Sequence, residues 1–333
     1  MSDTRSEVAS IVERIRPVAV EAAVTAVHFL GTEAAFVLGE EAVLIAGEAG
    51  ERRVNAHQGA ILCSAGDGAR IVTGGDDGSI GVVDGAGEAR TIAADAKKRW
   101  IDRVATARDG TVAWAAGKQA FVRTPKGAEK SLDLPSSAGG LAFAPKGFRL
   151  AVAHYNGVTL WFPNASAKAE TLAWKGSHLD VSFSPDGRFL ITAMQEPALH
   201  GWRLTDAKDM RMSGYAGKVQ SISWSGTGGW LATSGAPQLI LWPFQGKDGP
   251  MGKAPKMLAP ADNRVSAVAC HPQQDIVAVG YENGMMLLVR IDDGAEIIAR
   301  HPGKAPISAL TWSASGDRLA FGTEEAEAGI ITL

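Results

Sequence analysis

Seven histidines, two cysteines and scattered serines are the residues of this 333-residue chain that could do nucleophilic, acid–base or metal chemistry. The histidines are His28, His57, His154, His178, His200, His271 and His301. None makes His-Glu-x-x-His or another dense ligand spacing, so no metal is expected. His154 and His178 come nearest to a pair, at loops of neighbouring repeat units. No Gly-x-Ser-x-Gly elbow is present to expose a serine nucleophile. The run GGDDGSI, Gly74 to Ile80, does not suit a phosphate. It lies between strand patterns instead of before a helix, and Asp76 and Asp77 would repel the anion. Such paired carboxylates usually mark tight turns. Cys63 and Cys270 are too few for a disulfide framework and sit in apolar strand patterns as small hydrophobes. Neither catalysis nor a cofactor is expected.

What would position these residues is a repeat. An alternating apolar strand, a polar turn, a second strand, a Gly/Asn/Asp/Glu turn and a third strand recur eight times. Examples are ILCSAGDGARIVTGGDDGSIGVVD from Ile61 and VSFSPDGRFLITAMQEPALHGWRL from Val181. One column before the first turn holds Phe29, Cys63, Thr106, Phe143, Phe183, Trp224, Cys270 and Trp312. The mean spacing, (312 − 29)/7, is about 40 residues, a blade length for propeller repeats. Period-two alternation between Gly-rich turns argues for strands over helices.

Composition agrees with a folded domain: 46% of residues are apolar and 21% charged. With 33 basic and 36 acidic residues the net charge is -3, which excludes a strongly basic nucleic-acid binder at whole-chain level. No apolar stretch reaches membrane-spanning length. The start, MSDTRSEVASIVERIRPV, lacks a signal-peptide pattern. A cytoplasmic protein bound to neither nucleic acid nor membrane is expected.

The chain resembles the WD40 family, most clearly in its second unit, from His57 to Asp84. In such repeats a His before the innermost strand, a Ser/Thr on the second, an Asp in the next turn and a Trp on the third form a buried hydrogen-bond network. The resemblance puts His57, Thr73 and Asp77 in these places, with Val83 where Trp is expected. In the fifth unit it puts His178, Thr192, Glu196 and Trp202. Trp161 and Trp242 fall on about the same strand of the fourth and sixth units. The Trp-Asp dipeptide itself occurs nowhere. Histidines before innermost strands, His301 included, are expected to tie loops to the sheets.

The fold implied is an all-β propeller of eight four-stranded blades, with seven as the alternative. Fourth strands are expected at 51–55, 89–93, 130–134, 170–173, 210–212, 256–259 and 295–299. The last unit stops after its third strand at Leu333. The segment Arg16–Ala22 is expected to supply the fourth and join the chain ends, leaving no bare edge. Residues 1–15 read as a polar tail or short helix, and 16–333 as a single domain. The segment 245–256 reads as an exposed loop.

WD40 domains usually act as interaction platforms, so the function implied is a non-catalytic scaffold that docks proteins or peptides on its loop face. Second-to-third-strand turns and inter-unit loops should share that face. They carry Glu40, Glu41, Asp76, Tyr155, Tyr281, Glu282, Glu324 and Glu325. From the seventh unit through the eighth to the second these turns are acidic, which would steer a basic partner or simply be solvated surface. The loop DAKKRWID, from Asp95, carries Lys98, Arg99 and Trp100, an interface anchor unless Trp100 packs on its own unit. A monomer is expected. Two alternatives stay open: an enzyme with its site at the channel mouth, and an accessory to a metal-handling GTPase, a setting of some similar bacterial chains.

Overall fold

The computed structural model describes residues 9–166 and 168–333. Thirty strands and one short 3-10 turn, Val12–Arg14, make up its regular structure. The fold is an all-β propeller. The tail expected over 1–15 lies partly outside the described residues; what is described of it ends in that turn and begins a strand at Ile15.

The middle strands are buried on both faces. Val112–Ala116 and Phe189–Met194 are buried at every position. That follows from stacking, since a sheet covered on both sides needs continuous apolar residues. The outer strand Glu129–Asp133 is largely exposed. Each apolar cluster draws on two neighbouring units. Phe36 and Leu38 of the first unit pack with Ala320 and Ile330 of the last. Phe189 and Ile191 of the fifth pack with Leu231 and Trp242 of the sixth.

Sheet number differs from the main expectation. There are seven hydrogen-bonded sheets, six with four strands and one with six. Eight separate blades were expected, and seven was the alternative. The cause is local to the fourth and fifth repeat units, which share the wide sheet. Its strands Leu150–Trp161 and Glu170–Phe183 are 12 and 14 residues long. The first folds back on itself: its start pairs with Gly140–Phe143, and Gly157–Leu160 pairs with Glu170–Ala173. Asn156 and Gly157 carry the bend with φ of 68° and 144°. Tyr155 also pairs with Ser177, so the ladder runs on into the next unit. The two units press close here. A Cβ on Gly139 would lie 1.9 Å from the carbonyl oxygen of His178, so only glycine fits.

The outer strands fall close to where the repeat puts them, for example Gly50–Asn55, Ala89–Ala94 and Glu296–Arg300. The last sheet is completed from the other chain end, by Ile15–Val18 instead of the longer Arg16–Ala22. Its register runs from Ile15 opposite Ile331 to Val18 opposite Ala328.

Inner strands present bare backbone edges to the channel, and side chains stitch them together. Ser308 Oγ donates to the Val24 carbonyl at 2.5 Å and Thr311 Oγ1 to the Val27 carbonyl at 2.8 Å, joining last unit to first. Ser266 Oγ donates to the Ile307 carbonyl, Ser223 Oγ accepts from the Cys270 N–H, and Arg103 donates to the Gly139 carbonyl. These bonds satisfy groups that would otherwise invite strand addition.

The 245–256 segment is not simply an exposed loop. Phe244, Gly249 and Pro250 are buried, and the Phe244 ring meets Phe189 of the fifth unit edge-on at 5.2 Å. Asp248 pairs with Arg203. An aromatic anchor and one ion pair fold the insertion back on its neighbour.

Candidate functional site

The second-to-third-strand turns bond to inter-unit loops around the ring. The N–H of Ile61 donates to Glu40, of Asp76 to Ala60, of Leu134 to Lys118, of Gln195 to Ser177 and of Glu282 to Arg264, each carbonyl within 3.0 Å. Turns and loops therefore form one face.

In the second unit the network closes. His57 Nε2 lies 2.8 Å from Thr73 Oγ1, and Nδ1 lies 3.1 Å from Asp77 Oδ1 and 2.9 Å from Ser79 Oγ. Burial alone would raise the Asp77 carboxyl. Hydrogen bonds from Ser79, the Gln58 N–H and His57 outweigh it and hold the carboxyl down at about 2. A cleft of about 380 Å³ beside the network is lined by His57, Gln58, Asp77, Ser79 and Arg90. Serine, histidine and aspartate thus meet, but in the wrong order for acyl transfer. Ser79 and Asp77 both face Nδ1, so the ring cannot pass a proton between its two nitrogens from one to the other. Thr73, on the other nitrogen, is fully buried. The group fastens the loop to the sheet.

The fifth unit closes only in part. His178 Nδ1 lies 2.8 Å from Thr192 Oγ1, and Nε2 lies 3.0 Å from the Trp174 carbonyl. Glu196 is exposed and Trp202 is buried, and among the described residues neither bonds to this pair, against the expectation from the resemblance. The Trp202 ring instead meets His200 edge-on at 4.7 Å. His200 stacks on Trp174 at 3.8 Å, and both its buried ring nitrogens lack a hydrogen-bond partner. Burial first, then the nearby His178 and Arg211, push its pKa down to about 3.

A third network lies in the sixth unit. Trp242 Nε1 donates to Tyr215 Oη at 2.7 Å, and Tyr215 Oη lies 2.9 Å from Thr233 Oγ1. Tyr215 precedes the innermost strand, as His57 does. The signal in the sequence is a tyrosine standing where the family pattern has a histidine.

Tyr281 cannot meet a partner: it is fully buried, and its hydroxyl donates to the Ala259 carbonyl at 2.7 Å. It ends a second strand whose both faces are covered, so its ring turns into the core shared with the sixth unit. His301 is exposed and, among the described residues, ties nothing down. Burial pushes both thiols, Cys63 and Cys270, up to about 12, which leaves them protonated and inert.

Charge divides the loop face into two sectors. Glu40 and Glu41 lie 3.3 and 3.1 Å from Arg53, Glu282 lies 2.7 Å from Arg264, and Glu327 pairs with Arg300. Glu324 and Glu325 are exposed without an ion pair among the described residues, and Asp76 is half-buried. In the other sector Arg99 is bound to Asp95 at 2.6 Å and to Gln119 at 3.1 Å. Lys98 is held at φ 52°, Trp100 is 67% exposed and Tyr155 is 55% exposed. Trp100 does not pack away on its own unit.

Residues 51–84 match the family model described as "WD domain, G-beta repeat". No curated protein matches the chain. The chain is similar in fold to the crystal structure of the computationally designed Ika8 protein, at 15% identity. That match covers 95% of this chain and 98% of the designed one, with a TM-score of 0.74. A unit that both matches this repeat model and builds its buried network thus sits inside a β-propeller of stacked sheets.

Proposed function

We propose that this propeller is a non-catalytic scaffold that docks a partner protein or peptide on its loop face. WD40 propellers commonly serve as interaction scaffolds, which supports the general reading. The observation that carries the finer one is Trp100, a large ring two-thirds exposed on a loop fixed by bonds at Asp95. A rigid aromatic loses little entropy on binding and buries much area, the usual profile of a binding hot spot. The polar networks are consumed by structure: His57 and His178 spend both ring nitrogens within the fold. We read residues 16 to 333 as a single domain whose stacked sheets act as one rigid support for the loops.

Capture from native lysate by the wild-type chain and by Trp100→Ala, run side by side, tests the reading. At least one partner should be lost with the variant while its melting temperature stays within a degree or two. Identical captured sets would contradict it.

A further inference from the structure

The loop face keeps its free charge unevenly. In the sector of the seventh, eighth and first units, arginines on the same face neutralise Glu282, Glu327, Glu40 and Glu41, while Glu324 and Glu325 stay exposed without an ion pair among the described residues. From the second to the fourth unit the balance is opposite. Lys97, Lys98 and Lys118 are exposed, and no described carboxylate lies within ion-pair distance of them. Of the carboxylates there, Asp76 has no ion pair among the described residues, and three others are held by neighbours. Asp95 is bound to Arg99, Asp102 lies 3.8 Å from Arg103, and Asp133 accepts from Gln119 at 2.9 Å. The two exposed rings, Trp100 and Tyr155, lie in this same sector.

The sector is also one connected surface. Arg99 reaches Gln119 on the third unit's turn, and Gln119 reaches Asp133. Arg103 bonds to Gly139, and Ser136 Oγ accepts from the Tyr155 N–H at 2.9 Å. The Trp100 loop, the Lys118 turn, the 134–139 loop and the Tyr155 turn are therefore held against one another.

Resting on the scaffold reading above, we infer that this sector binds an acidic protein segment carrying an aromatic or aliphatic side chain. The lysines face its carboxylates, and the apolar side chain rests on Trp100. This reverses the basic partner that the acidic turns suggest in the sequence, because those acids are mostly satisfied internally. A folded or disordered acidic segment fits better than a nucleic acid. Among the described residues its exposed lysines Lys97, Lys98 and Lys118 have no ion pair. Asp76 at one end and Glu196 at the other would repel a polyanion that ran past it.

The test is selection of a displayed library of random dodecapeptides on the full chain. Selected peptides should be rich in Asp and Glu around one apolar residue. Their affinity should fall at least about tenfold in Trp100→Ala and in Lys98→Glu/Lys118→Glu, and stay within about twofold in Glu324→Lys/Glu325→Lys. Basic peptides that depend on Glu324 and Glu325 would overturn the inference while leaving the scaffold reading intact. No enrichment at all would overturn both. Equal competition by single-stranded DNA at matched charge would overturn the choice of a protein partner.

Discussion

The second and fifth repeat units place similar residues at matching positions and end differently. In the second, His57 has partners on both nitrogens and Asp77 collects bonds from Ser79 and Gln58. In the fifth, His178 is satisfied by Thr192 and a backbone carbonyl, and the ring next to it, His200, is buried without a hydrogen bond, its Nε2 3.8 Å from an Asp209 carboxylate oxygen. The difference teaches that the repeat needs an anchor between loop and second strand but tolerates a poor fill outside it. A buried polar atom without a partner costs free energy, and here stacking on Trp174 keeps the ring in place regardless.

The largest effect should come from removing what both units depend on, an unbroken ring. Deleting residues 1–18 strips Ile15–Val18 from the last sheet and exposes the strand ending at Thr332. Loss of the buried Val18 and the half-buried Ile15 should cost on the order of 4 kcal/mol, read by denaturant unfolding. An unchanged midpoint would refute closure. Next comes His57→Ala, which strands Thr73, Asp77 and Ser79 and should cost about 3 kcal/mol.

Acid should then separate the two units by pH. His200 and His28 have pKa values pushed from 6.5 to about 3 and about 4, chiefly by burial. The unfolded chain binds protons there that the folded chain refuses. Stability is therefore complete above pH 6.5 and falls as pH drops toward 3. The Asp77 carboxyl, held at about 2, adds its loss only below its ordinary value of 3.8. Unfolding midpoints measured from pH 7 to 4 should decline, and the decline should be shallower in His200→Phe. The smallest effect sharpens the contrast most. At pH 7, His200→Phe should be neutral or stabilising by up to about 1 kcal/mol, because it removes unpartnered nitrogens and keeps the stack. A loss as large as that of His57→Ala would mean the two sites are equivalent after all.

The anchor of the second unit was legible through the resemblance to WD40 repeats, whose pattern lies within one unit. His57, Thr73 and Asp77 needed no knowledge of other units. What was not legible depends on neighbours. The strand ladder joining Tyr155 to Ser177 forms where two units press together at Gly139, so the sheet count could not be read from repeat number. Tyr281 looked like a turn residue, yet it faces a core supplied by the sixth unit. The acidic turns looked free because their arginines come from other strands: Arg53 lies on the fourth strand of the first unit and Arg300 on that of the seventh. Trp100 is the opposite case. Its place among cations, in a loop between units, was visible directly, and the structure leaves the ring in solvent.

The neutralised and the unneutralised sectors of the loop face can be distinguished in one experiment. Hydrogen exchange of the full chain would be compared with and without an acidic peptide selected on it. Slowed exchange should appear in 95–102, 117–119, 134–139 and 155–156. Protection confined to 282–284 and 324–327, or spread evenly around the ring, would contradict the assignment.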